Sequence, residues 1–212
     1  MCSSDLAVSG YEAAASQLVN EGLIDPEKIG IIGFSHTCLW TIGALTSNSS
    51  LRFKAALITD GIMADYNQYL MSDDDTAHYF DKLIGARPIG QGLQTWLQRS
   101  PGFNLERVSA ALLVVGEGPE SLLTMWQPYA ILHLLGKPVE LVMLNTTEHD
   151  LSNPAVRLAS QGGSVDWFRF WLQGYEDPDP AKAEQYARWR ELRKLQEQNV
   201  RQPQQANPPP VH

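Results

Sequence analysis

The sequence predicts an α/β fold, with a parallel sheet of about four strands flanked by helices. Three observations carry that expectation. Short continuous apolar runs recur at 29–32, 53–59, 110–115 and 139–144. Helix-compatible stretches or turn signals separate them, as parallel strands require. Polar residues able to do chemistry follow each run: Ser35, Asp60, Glu117 with Glu120, and His149. In such a sheet, ligands bind at the carboxyl ends of the strands.

The elements follow in order. Tyr11 to Leu23 reads as an amphipathic helix, with Ala14, Leu18 and Val19 at helical spacing and Gly22 near its end. Asp25-Pro26-Glu27 is a turn. Ile29 to Ile32 is the first strand. It meets Gly33-Phe34-Ser35-His36-Thr37, and a helix-compatible run, Cys38 to Leu45, follows. Asn48-Ser49-Ser50 closes that helix. Phe53 to Thr59 is the second strand, ending at the turn pair Asp60-Gly61.

From Ile62 to Arg99 periodicity is weak, and aromatics punctuate the stretch. It reads as an insertion lying over a substrate pocket. Asp73-Asp74-Asp75 reads as a solvated loop or helix cap rather than a metal site, because three adjacent carboxylates diverge. Ala110 to Val115 is the third strand, broken at Gly116-Glu117-Gly118-Pro119-Glu120. Ser121 to Leu135 is a helix with Gly136 as its C-cap. Val139 to Leu144 is the fourth strand, running into the polar loop of His149.

Val156 to Leu172 is a helix interrupted near Gly162-Gly163, with Trp167, Phe168, Phe170 and Trp171 as core packing. Asp177-Pro178-Asp179-Pro180 breaks the chain. Ala181 to Asn199 is a charged helix in which Glu184 and Arg188 stand four apart. The proline-rich residues 201–212 read as a disordered tail.

Composition bounds the function. A chain of 212 residues holds one good-sized domain. A net charge of −8 speaks against nucleic acid as the partner. No apolar stretch approaches membrane-spanning length. Cys2 and Cys38 provide no disulfide framework. Residues 1–6 contain Cys-Ser-Ser-Asp-Leu, which a common sequencing adapter encodes. They are expected to be an artefact, with the natural chain continuing upstream.

Strand, sharp turn and helix with a serine at the turn is the layout of a nucleophile elbow. A serine hydroxyl needs a neighbouring base to become a good nucleophile. The backbone N–H of His36 follows the serine and would face a developing oxyanion at the positive end of the helix. The usual pattern is G-x-S-x-G, and Thr37 replaces its last glycine. On the pentapeptide alone, Ser35 reads equally well as a simple N-cap. The base is expected to be His149, because it alone lies in a loop after a later strand. His36 adjoins the serine, His133 falls inside a helix, His78 in the insertion and His212 in the tail.

The segment IDPEKIGIIGFSHT resembles the elbow of the prolyl oligopeptidase family of serine peptidases. LLVVGEGPESL sits where that family has its acid turn, and GKPVELVMLNTTEHDLSNP is similar to its last strand and histidine loop. The segment from Trp167 to Gln196 is similar to the tail of a divergent branch near the lasso-peptide isopeptidases. The resemblance covers roughly residues 10 to 197. It implies a partial α/β-hydrolase domain over 7–176, a helical extension over 177–200, and a β-propeller and further strands upstream.

The resemblance implies that Ser35 is the nucleophile and His149 the base. The family's acid position, three residues past Gly116, is occupied by Pro119. Glu120 is the favoured acid, with Glu117 and Asp60 as alternatives. The implied function is hydrolysis of a peptide, or of a small acyl substrate, through an acyl-enzyme, with no cofactor or metal. A binding module without activity is the further alternative.

Overall fold

The computed structural model describes residues 3–49 and 51–201. Four strands form one wholly parallel sheet in the order β1-β2-β3-β4: β1 Gly30–Phe34, β2 Ala55–Thr59, β3 Ala111–Glu117 and β4 Val139–Leu144. The strands lie in chain order, so each connection crosses over one face to the next position. β2 and β3 are buried along their whole length, which is why their sequences are continuous apolar runs rather than alternating ones.

Eight helices accompany the sheet among the described residues: α1 Ser3–Asn20, α2 Thr37–Thr46, α3 Tyr66–Met71, α4 Asp74–Ile84, α5 Gly92–Arg99, α6 Gly118–Leu134, α7 Pro154–Phe168 and α8 Ala183–Arg201. The first helix begins before Tyr11 and takes in residues assigned to the adapter-like stretch. One sheet face presents Ile31, Ala56, Ile58, Leu112 and Val114 to α1, α2 and α6. The other presents Ala55, Leu57, Leu113 and Val115 to Trp167, Phe170, Trp171, Tyr186 and Trp189. The aromatic stripe is therefore core, as its pattern predicts. Trp167 also donates from Nε1 to the carbonyl of Ala56 at 3.1 Å.

The glycine pair 162–163 does not interrupt α7, which runs through it. The helix instead widens into a π-turn over Arg169–Gln173 and stops at Gly174, whose φ is 68°. Packing of Trp167 and Phe170 on the sheet outweighs the poor helix propensity of two glycines. Arg188 does not pair with Glu184. Its guanidinium sits on Glu140 Oε1, with Nε at 3.1 Å and Nη2 at 3.0 Å, and ties α8 to β4. The tail at 202–212 lies outside the described residues.

The weakly periodic segment forms α3, α4 and α5. These pack Leu39, Ala64, Phe80, Ile84 and Trp96 into a third apolar cluster beside the elbow helix. Asp73 is a helix cap, its Oδ1 accepting from Thr76 N at 2.9 Å. No helix among the described residues is long and apolar enough to cross a membrane.

Candidate active site

β1 runs into Ser35, whose φ is 52°, and α2 starts two residues later. A left-handed residue other than glycine costs about 1–3 kcal/mol and persists only when its surroundings fix it. Three backbone bonds do so. Ser35 N donates to Thr59 O at 3.0 Å, and Ser35 O accepts from Cys38 N at 3.1 Å and Ile62 N at 3.2 Å. The hydroxyl does not cap α2: the N-cap position is His36, with no side-chain cap bond.

Thr37 does not stand at the closest approach of helix and strand. A Cβ at Gly33 would lie 2.8 Å from Cys38 Cα, and one at Gly61 would lie 2.1 Å from Cys38 Sγ. Those two glycines provide the closeness. Thr37 Oγ1 instead donates to Phe34 O at 2.7 Å and accepts from Phe34 N at 2.8 Å, closing the turn.

His149 comes from the loop after β4. Its Nε2 lies 3.0 Å from Ser35 Oγ, and its Nδ1 lies 2.5 Å from Asp60 Oδ2. Asp60 follows β2 immediately and is also left-handed, with φ 39°. Its N–H continues the ladder to Val115 O at 3.0 Å. Two strained residues at the ends of neighbouring strands thus hold one imidazole between them. Gly118 makes room for the histidine loop: its φ is 87°, and a Cβ there would lie 2.5 Å from Thr146 O.

The expectation that Glu120 orients the imidazole gives way to a different placement. Glu120 is exposed in the first turn of α6, and the carboxylate hydrogen-bonded to His149 is that of Asp60. The helix starts at the left-handed Gly118, and in its first turn Pro119 and Glu120 are exposed while Ser121 is buried. Glu117 stays inside, at the end of β3. Its Oε2 is 3.9 Å from His149 Nδ1, and its side chain is 1% exposed. Burial first, and then the charge of Asp60, push the Glu117 carboxyl up to about 7, against a smaller pull from His149.

The backbone N–H of His36 lies at the head of α2, where the helix dipole is positive. The His36 ring meets Tyr79 Oη through Nε2 at 2.5 Å, so α4 braces the elbow. Sequence reasoning missed three contributors. Phe34 stacks on the His149 ring, with centroids 4.7 Å apart. Tyr79 has no local pattern that would single it out. Gln68 clamps the loop after Asp60: its Nε2 donates to Gly61 O at 3.1 Å, and its Oε1 accepts from Met63 N at 2.8 Å. Nothing in the sequence singles out Gln68, whose burial is seen only in the fold. Ser35, Asp60, Gln68, Glu117, Glu120 and His149 all line one cavity of about 620 Å³.

The profile of the prolyl oligopeptidase family matches residues 7–175. The lasso peptide isopeptidase AtxE2 of Asticcacaulis excentricus is 31% identical over 200 residues, which are 89% of this chain and 27% of that protein. Among solved structures, an AtxE2 variant with Astexin3-dC4 bound superposes with a TM-score of 0.74 at 30% identity, over 89% of this chain and 28% of the other. The acylaminoacyl peptidase of Pyrococcus horikoshii superposes with a TM-score of 0.64 at 26% identity, over 80% and 28%. The chain therefore spans about a quarter of the length of these relatives.

Proposed function

The chain belongs to the prolyl oligopeptidase family, and from that premise we propose that it carries the nucleophile, base and orienting acid of a serine peptidase. Ser35 is the nucleophile, His149 the base and Asp60 the acid. One observation carries this reading. A single imidazole is hydrogen-bonded on both sides, to a strained serine at 3.0 Å and to a carboxylate at 2.5 Å.

The Asp60 carboxylate favours the tautomer with the proton on Nδ1, leaving the Nε2 lone pair for the serine proton. Ser35 Oγ attacks the amide carbon while Nε2 takes its proton. Asp60 stabilises the imidazolium, and the His36 N–H meets the oxyanion. The C–N bond then breaks, and Nε2 returns the proton to the leaving amine. Water, deprotonated by His149, cleaves the acyl ester and regenerates Ser35.

The substrate is a peptide. Similarity to an isopeptidase favours an amide formed by a side chain over an ordinary backbone amide as the bond cut. An esterase shares every group named so far, and rates separate the two. Full-length protein should react with a fluorophosphonate probe at Ser35, and Ser35→Ala should abolish labelling. Peptide or isopeptide substrates should turn over faster than short-chain esters. Well-folded protein that resists the probe would overturn the hydrolase reading, and ester cleavage with background peptide turnover would overturn the peptidase reading.

A further inference from the structure

Glu117 is a buried carboxylate that no donor answers. Neither of its oxygens has a hydrogen-bond partner, although an unsatisfied buried polar group is costly. The nearest groups are Asp60, itself an acceptor, and His149 Nδ1, whose proton is directed to Asp60. Two carboxylates placed this way are reconciled by a cation between them: a proton, or a metal ion in its place.

The geometry points to a binding site for a zinc-class divalent cation formed by Asp60, Glu117 and Nδ1 of His149. One ligand atom from each lies within 4.8 Å of the others. Two donors on a tetrahedral zinc stand about 3.3 Å apart, given bond lengths near 2 Å. The observed separations of 2.5 Å from Nδ1 to Asp60 and 3.9 Å to Glu117 bracket that spacing. Side-chain rotation would have to open the first separation and close the second for the ion to seat. One imidazole with two carboxylates suits zinc, whereas calcium and magnesium call for a larger oxygen set. Two negative charges match the ion's two positive ones. Glu117 and His149 line both the cavity of about 620 Å³ and a neighbouring one of about 410 Å³, so an ion can approach from either.

Occupancy has a chemical consequence, which rests on the proposed roles of Ser35 and His149. Zinc takes the Nδ1 lone pair, so the neutral ring carries its proton on Nε2. That nitrogen then donates to Ser35 and cannot accept its proton. The ion would act as a reversible brake.

Calorimetric titration of zinc into full-length protein tests binding without reference to activity. One ion should bind per chain. Glu117→Gln should weaken it at least about 10-fold, and His78→Ala should leave it unchanged. Cobalt should give the intense visible absorption of a tetrahedral site in wild-type protein, a readout that survives if a variant misfolds. Equal zinc affinity in wild type and Glu117→Gln, or no such cobalt band, overturns the site. In a separate arm, saturating zinc should suppress fluorophosphonate labelling of Ser35, and chelator should restore it. Labelling indifferent to bound zinc overturns the brake. Protein that binds zinc but never labels contradicts the hydrolase reading and leaves the metal site intact.

Discussion

Asp60 reaches across 89 positions of sequence to place Oδ2 2.5 Å from Nδ1 of His149. The loop after β4 brings the imidazole to the carboxyl end of β2, and because β1 and β2 are neighbours, each followed by a left-handed residue, the same ring also reaches Ser35. If this contact orients the base, Asp60→Asn should lower kcat/KM about 10³–10⁴-fold by favouring the wrong tautomer. Glu120→Gln, whose carboxylate faces solvent, should leave it nearly unchanged. Peptide hydrolysis by the two variants, with circular dichroism as a folding control, decides between the acids.

The turn at Thr37 makes a second prediction. Restoring the family pattern with Thr37→Gly should not raise activity. It removes both bonds to Phe34 and should cost about 1–2 kcal/mol. Gly33→Ala should be worse, at about 1–3 kcal/mol or more, because its methyl meets the backbone of Cys38. Urea denaturation midpoints give the order.

Asp65 predicts a pH effect on stability. It is fully buried, and its Oδ1 accepts from Gln68 N at 2.8 Å. Desolvation lifts its carboxyl from 3.8 to about 7, against the pull of the Gln68 and Asn67 amides. The folded state therefore holds a proton that the unfolded chain releases. Its contribution to stability is whole below the ordinary value of 3.8 and is lost as pH rises towards about 7. Asp65→Asn keeps a cap acceptor and removes the charge. It should raise stability by about 2–4 kcal/mol at pH 8 and change little near pH 3.5. Melting temperatures of both proteins across that range test the sign.

Trp167 is fully buried between the sheet and α8, and it donates to Ala56. Trp167→Ala should cost about 3–5 kcal/mol, and Trp167→Phe less. Its contacts are with Ala56, Trp171 and Trp189, so Trp167→Phe should label at Ser35 at the wild-type rate wherever the protein remains folded.

β2 and β3 were legible because strands covered on both faces demand uninterrupted apolar runs. Val139–Leu144 falls where the sequence places it. The elbow was legible because apolar run, serine and helix follow one another directly, so local pattern alone locates the turn. The acid was not. Counting along the chain after β3 cannot say which carboxylate turns inward. Asp60 was visible only as one option among three, since its partner lies far away in sequence. Tyr79 and Gln68 were hidden in short helices whose apolar residues face a cluster of their own rather than the sheet. Periodicity cannot reveal a surface whose counterpart is another irregular segment.

That separate cluster around Phe80 and Trp96 has an evolutionary corollary. Gln68 ties this segment to the loop after Asp60, and Tyr79 ties it to His36, so a change in the cluster is felt at the strand ends that carry Ser35 and Asp60. Drift in the packing of Phe80 and Trp96 is therefore restrained by those two contacts.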